Sequence, residues 1–204
     1  MTEEVEERVE VILNHLDSSL NKWAERSLWI EENIPGKPVF KFEGVDGSLV
    51  LSHRDANKSF VTGSFSATIL CAGAVIEQVL RIELTNQGGY SEDERLRTSE
   101  IVQKAFENEL INDDIRGMVG RTLEYYRHNF AHYRAPASDD SLESVVQERT
   151  KKKGVMPSFN QVAKPQAEQT LQAMYNVVDG ENIDCSYYIE LGESSPFFDH
   201  SYST

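Results

Sequence analysis

The chain has 204 residues, of which 39 % are hydrophobic, and its formal net charge is −14. This length and apolar fraction suit a single domain with a buried core, so we predict one domain over residues 1–204. The acidic balance excludes a generally basic surface, so any contact with nucleic acid must be confined to a local patch. The two cysteines, Cys71 and Cys185, are too few for a disulfide framework and have no metal-ligand spacing.

The sequence predicts neither a signal peptide nor a membrane span. Glu3, Glu4, Glu6 and Glu7 have the opposite charge to the start of a signal peptide. The longest apolar run, residues 67–76, is about half the length that a membrane-spanning helix needs. We therefore expect a cytoplasmic protein that does not contact a membrane.

Apolar residues recur every three or four positions over residues 2–32, which predicts a first helix. Residues 37–52 come next, and their two apolar runs flank Asp46-Gly47, which predicts a small β-hairpin inserted after that helix. A second long helix is predicted from Asn57 or Ser59 to Leu84, and it is apolar on nearly all sides, as the central helix of a bundle is. A third helix is predicted over residues 98–110.

The second half of the chain predicts two further helices. One begins after Asn112, carries a basic stretch at residues 121–134 and stops before Pro136. Residues 137–164 are charged and poor in aromatic residues, which predicts a flexible loop with one helical turn near residues 142–149. Pro165 opens the last helix, over about 165–179, and part of the aromatic tail beyond it is expected to dock. The predicted fold class is all-α, a bundle of four to five helices.

The basic stretch contains three arginines and two histidines, against the acidic balance of the chain. On an ideal helix at about 100° per residue, its apolar residues gather on one side. Arg121, His128 and His132 share the opposite face, and Arg127 and Arg134 lie on the flank. The histidines therefore point towards solvent, a ligand or a partner.

Several readings of these residues stay open from the spacing alone. A cluster of Arg and His near a helix end is also typical of a solvated face that complements the helix dipole. His128 and His132 are four residues apart, as metal ligands can be, but Asn129 stands where a zincin has its glutamate, and no third ligand is evident. We predict no metal site. Glu77, within the apolar helix, is either a partly exposed position or a carboxylate that orients a nearby charged group.

The hexapeptide from Arg127 to His132, R-H-N-F-A-H, resembles the R-x4-6-H signature of the HEPN superfamily. The order of the predicted helices resembles that family too, over roughly residues 1–136 and the last helix, whereas the hairpin and the long loop are additions. The resemblance implies a HEPN-like helical bundle. It also implies a homodimer in which two motif helices meet across a two-fold axis and form one composite cleft.

Many members of that family are metal-independent endoribonucleases. By resemblance, His132 is the main catalytic residue, Arg127 clamps a phosphate and His128 assists. Position alone adds Arg134, Arg121 and Asn129 as candidates for binding the RNA backbone. The resemblance further suggests a toxin or an anti-phage effector that needs no cofactor and works with an antitoxin or a regulatory protein. The alternative is a catalytically inactive HEPN module that binds RNA, a nucleotide or a protein partner.

Overall fold

A computed structural model describes residues 3–34, 40–42, 47–88, 95–127, 130, 142–154, 156–180, 183 and 188–190. Within these residues the fold class is all-α, as predicted. The helices are α1 (Glu3–Asn33), α2 (Gly47–Thr62), α3 (Phe65–Asn86), α4 (Thr98–Glu107), α5 (Asp113–Gly120), a π-helical turn (Arg121–Tyr126), α6 (Leu142–Lys153) and α7 (Phe159–Val178). The two strands are β1 (Phe40–Phe42) and β2 (Tyr188–Glu190).

Helix α3 is the centre of the bundle, because it packs extensively against both α2 and α7. Its length and composition would suit a membrane span, but half of its most apolar stretch is buried inside the protein. The nearly continuous apolar sequence is therefore explained by contact with two helices, as in the core helix of a soluble protein. A cytoplasmic location stays a prediction.

A glycine divides the predicted second helix into α2 and α3. Gly63 has a φ of +87°, a conformation that a residue with a Cβ rarely adopts. The Gly63 N–H donates to the Phe60 carbonyl (3.0 Å) and the Ser64 N–H donates to the Ser59 carbonyl (2.8 Å). This is the Schellman pattern that ends a helix. The prediction of one continuous helix over residues 57–84 is wrong for this reason.

The predicted hairpin at residues 37–52 is also wrong. Helix α2 begins at Gly47, where the turn was expected, and it includes the residues of the predicted second strand. Leu49 is 1 % exposed and Leu51 is 49 % exposed, whereas a strand would place both side chains on the same face. Strand β1 pairs instead with β2 near the end of the chain, antiparallel, with Phe40 opposite Glu190.

The predicted flexible loop at 137–164 contains regular structure in the part that the structure describes. Helix α6 occupies residues 142–153, and Val146 on it is buried. Helix α7 begins at Phe159 and not at Pro165, because Ser158 and Gln161 form a capping box. The predicted start at 165 is thus wrong, and Pro165 lies inside the helix.

A buried polar cluster joins α2 to α7. The Tyr175 hydroxyl donates to Asn57 Oδ1 at 3.0 Å, and the Asn57 amide donates to the His53 carbonyl at 3.0 Å. The His53 ring meets the Tyr175 ring edge-on, with centroids 5.6 Å apart, and His53 Nε2 is inaccessible to solvent. Burial lowers the pKa of His53 to about 4, because the charged imidazolium loses its hydration.

We predict that His53 makes the fold sensitive to mild acid. Below pH 6.5 the unfolded chain takes up a proton at His53 that the folded chain accepts only near pH 4, so stability falls as the pH falls through this window. Between pH 7 and pH 5 the free energy of unfolding should drop by at most about 2 kcal/mol from this residue. Urea unfolding of wild type and His53→Gln at both pH values measures it. An equal drop in the free energy of unfolding in wild type and His53→Gln would contradict the assignment of this pH dependence to His53.

Candidate functional site around Arg127

The helix that carries the basic stretch starts at a capped end. The side chain of Asn112 accepts a hydrogen bond from the Ile115 N–H at 2.9 Å, which fixes the first turn of α5. The predicted apolar face is buried at Val119, Leu123 and Tyr126. This face packs the helix against the bundle, so the other sides of the helix do not have to contribute to the core.

The helix does not continue as an α-helix through the basic stretch. Residues 121–126 form a π-helical turn, and the Arg127 N–H donates to the Thr122 carbonyl, five residues earlier. A π turn inserts one residue and so rotates the residues after it by about 100° relative to an α-helix. The expectation that Arg121 shares a face with His128 and His132 assumed a continuous α-helix from Arg121 onwards, and that assumption is wrong.

Three of the predicted site residues lie in the described part of the chain: Arg121, Arg127 and Glu77. The other four are His128, Asn129, His132 and Arg134, and they lie outside the described residues. The same is true of most of the predicted helix after Arg127. The geometry of the site is therefore the geometry around Arg127 and around Arg121.

Arg127 forms an ion pair with Glu77 on the central helix α3. Its Nη1 donates to Glu77 Oε2. The aliphatic part of the arginine crosses α3 over Gly73, where a Cβ would stand only 2.9 Å from Arg127 Cδ. Gly73 is thus the position that makes room for the arginine, and Glu77, one turn further on, receives the guanidinium.

The same carboxylate holds a second arginine, which was not among the residues predicted from the sequence. Arg81 Nη2 donates to Glu77 Oε1 at 2.9 Å and to the Leu96 carbonyl at 3.2 Å. Gly73, Glu77 and Arg81 recur every four residues, so they lie along one side of α3. A glycine, an acid and a base at that spacing in an otherwise apolar helix were the signal for this cluster.

The cluster of Arg81, Arg127 and Glu77 carries one net positive charge. Burial alone raises the pKa of the Glu77 carboxyl, but hydrogen bonds from Arg127 and Arg81, together with their charges, hold it below the usual range. The side chains remain 31 % exposed at Arg127, 30 % at Arg81 and 18 % at Glu77. Glu77 therefore holds both arginines against α3, and about 31 % of the Arg127 side chain stays accessible to an anion.

Arg121 lies in a different neighbourhood. It lines a groove of about 210 Å³ between the π-helical turn and α7, with Met118, Thr122, Tyr126 and Gln169. The Tyr126 hydroxyl donates to Gln169 Oε1 across this groove. Arg121 is exposed on the surface, so it can contact a phosphate, but no described contact joins it to the Arg127 cluster.

Two other features of the fold bear on a ligand. Among the described residues no group of three or more His, Cys, Asp or Glu side chains is placed to hold a metal ion. A cavity of about 910 Å³ lies where α4, α5 and the end of α7 meet. Its lining includes Glu107, Glu109, Asp113 and Asp179, and this negative charge disfavours an anionic ligand there.

We predict that a methyl group at position 73 disturbs the Arg127 contact. In Gly73→Ala the new Cβ displaces the arginine stem, so the Arg127–Glu77 hydrogen bond weakens and the pKa of Glu77 rises towards the ordinary value of a glutamate. Carboxyl carbon NMR titration of Glu77 measures this change. Gly117→Ala is the control, because its Cβ would meet nothing within 4 Å. A Glu77 pKa that is unchanged in Gly73→Ala would contradict the role of Gly73.

Comparisons with known proteins add no family to this description. No protein-family profile matches the chain, and neither a curated protein nor a solved structure matches it. The resemblance to the HEPN superfamily therefore rests on the residues from Arg127 to His132 and on the order of the helices.

Proposed function

We propose that this protein is a metal-independent endoribonuclease that acts as a homodimer with a composite Arg/His active site. The observation that carries the proposal is the fixed position of Arg127, five residues before His132 in the sequence. Glu77 holds the arginine over Gly73, and the side chain keeps 31 % of its surface exposed. An arginine held in this way is ready to bind a phosphate without losing further conformational freedom.

The reaction that these residue types suit is attack of an RNA 2′-hydroxyl on the adjacent phosphorus. The 2′-oxygen–phosphorus bond forms and the bond from phosphorus to the 5′-oxygen breaks, which leaves a 2′,3′-cyclic phosphate. A base removes the proton of the hydroxyl, and an acid gives a proton to the leaving 5′-oxygen. In the proposal His132 and His128 perform the proton transfers, because imidazole titrates near neutral pH.

Arg127 takes the role of phosphate clamp. Glu77 receives one of its N–H groups in the described contacts, and a guanidinium has five, so donors remain for the oxygens of the pentavalent intermediate. Arg81, beside it, adds positive charge. Arg121 and Arg134, with Asn129, are proposed to bind the RNA backbone away from the scissile phosphate.

The proposed dimer is based on the small number of catalytic groups on one motif helix, which is the helix predicted to carry Arg127 to His132. Two such helices related by a two-fold axis would double the histidines and arginines in one cleft. The proposal includes regulation by an antitoxin or another regulatory protein, as expected of a toxin or an anti-phage effector.

The Arg127–Glu77 pair also supports a second candidate function. If the carboxylate satisfies the arginine for structural reasons alone, Arg127 is not available to a phosphate. The chain is then a catalytically inactive HEPN module that binds RNA, a nucleotide or a protein partner. The strongly acidic net charge of −14 favours this reading, because it repels RNA outside the cluster.

We predict cleavage of RNA in the presence of a chelator, with 2′,3′-cyclic phosphate ends. Removing the clamp in Arg127→Ala should lower kcat by about 10²- to 10³-fold, which is the usual cost of one donor to a transition-state oxyanion. His132→Ala should lose cleavage as well. The measurement is the rate at which a labelled RNA is cut, with end-group analysis of the products.

The matched control is Arg54→Ala, which removes an arginine that is 57 % exposed on α2, and it should cleave like wild type. Absence of cleavage of every RNA tested would favour the inactive module. Activity that a chelator abolishes and zinc restores would contradict the metal-independent mechanism.

We further predict that Glu77→Gln separates positioning from charge neutralisation. The amide keeps the shape of the side chain but weakens its hold on Arg127, so kcat should fall by about tenfold. KM for RNA should not rise, because the cluster gains positive charge. Steady-state kinetics measures both constants. An increase of kcat/KM in Glu77→Gln would mean that Glu77 only neutralises Arg127.

A further inference from the structure

Helix α1 is the longest of the described helices, with 31 residues against 22 in α3. Its 31 residues span about 46 Å. The C-terminal part is anchored, since Trp29 stacks on Phe60 with ring centroids 5.0 Å apart and Arg26 Nη1 donates to the Val61 carbonyl at 2.7 Å. Ile30 and Ile34 complete this contact with 2 % and 1 % exposure.

The N-terminal part of α1 has six described apolar side chains that are exposed to solvent. Ile12 is 57 % exposed, Leu13 55 % and Leu20 52 %. The same holds for Val5, Val9 and Val11. At about 100° per residue, Val5, Val9, Ile12, Leu13 and Leu20 lie on one side of the helix, whereas Val11 lies on another side. Monomeric proteins rarely expose large contiguous apolar areas. The helix therefore presents a surface that is suited to a partner.

The spacing of this stripe specifies a helix as the partner. Positions 5, 9, 12 and 16 are Val, Val, Ile and Leu, and they follow the alternation of four and three residues that defines the a and d positions of a coiled coil. Leu13 and Leu20, seven residues apart, lie beside this seam and widen it. A lipid surface or a small ligand requires no heptad period.

Area and charge favour a second copy of the same chain. From Val5 to Leu20 the stripe is about 24 Å long, and two copies face to face would bury an area near the lower limit of specific interfaces, roughly 1,000 Å² in total. Residues 3–10 contain five glutamates and one arginine. A parallel pair would bring two such acidic ends together, whereas an antiparallel pair places each beside the Lys22 end of the other helix.

We propose that the N-terminal half of α1 is a self-association surface, on which α1 of one copy packs antiparallel to α1 of a second copy. This surface is distinct from the motif helix, and the proposal does not rest on the ribonuclease activity. Because the buried area is small, the association weakens on dilution.

Light scattering on the full chain over a range of concentrations tests the proposal. The wild-type mass should reach at least twice the 23.1 kDa of one chain, and Ile12→Glu, which buries a charge in the seam, should halve the mass at the same concentration. Leu51→Glu is the control, because Leu51 is 49 % exposed on α2, and it should leave the mass unchanged. Helix content by circular dichroism should be equal in all three proteins.

Cysteine cross-linking tests the direction of the pair. In a chain with Cys71 and Cys185 replaced by serine, Leu13→Cys lies near the middle of the stripe and should form a disulfide with its own copy, while Val5→Cys should not. A wild-type monomer at every concentration, or an unchanged mass in Ile12→Glu, would overturn the proposal. Equal cross-linking at both positions would overturn the antiparallel arrangement.

Discussion

The ion pair between Arg127 and Glu77 connects the motif helix to the centre of the fold. Glu77 lies on α3, the helix against which α2 and α7 pack, so its position is set by the core. Gly73, one turn earlier, lets the arginine stem lie directly on α3. Arg127, the basic residue of the hexapeptide whose side-chain contacts are described, is therefore oriented by the central helix of the bundle.

The electrostatic arrangement depends on the same contact. A chain with a net charge of −14 repels anions over most of its surface, so a phosphate must find a place where positive charge is concentrated. Arg81 and Arg127 share the Glu77 carboxylate, and each side chain stays about 30 % exposed. Burial of the Glu77 carboxyl disfavours its charged form, and the two arginines more than offset this cost, so each part of the cluster depends on the others.

The sequence predicted the fold class and the central helix because both follow from apolar periodicity. The predicted helix boundaries are wrong where a local capping signal, and not the apolar periodicity, determines where a helix begins or ends. The φ of +87° at Gly63 and the Ser158–Gln161 capping box set helix ends that the apolar pattern does not mark. Residues 49–51 are a short apolar run that a buried strand and a helix share, and the burial of Leu49, Ala56 and Phe60 on one face reveals a helix.

The candidate site could be predicted in part for a similar reason. Arg127 was singled out because its hexapeptide resembles the R-x4-6-H signature. Glu77 was singled out because an acid is unusual in an apolar helix. The spacing of Gly73, Glu77 and Arg81 marks one side of α3, but the pairing with Arg127 depends on how α3 meets the helix that carries Arg127, which no local pattern encodes. Residues 121–126 form a π-helical turn, so angles calculated for an ideal α-helix do not apply beyond Arg121.

The coupling between Arg127 and Glu77 is the quantity on which this account depends. It is measured by a double-mutant cycle in the free energy of unfolding, with Arg127→Ala, Glu77→Ala and the double variant. The account predicts that the two losses are not additive and that the interaction energy is about 0.5–3 kcal/mol. Losses that add to within about 0.5 kcal/mol would show that the two side chains do not hold each other, and Arg127 would then not be positioned by the core.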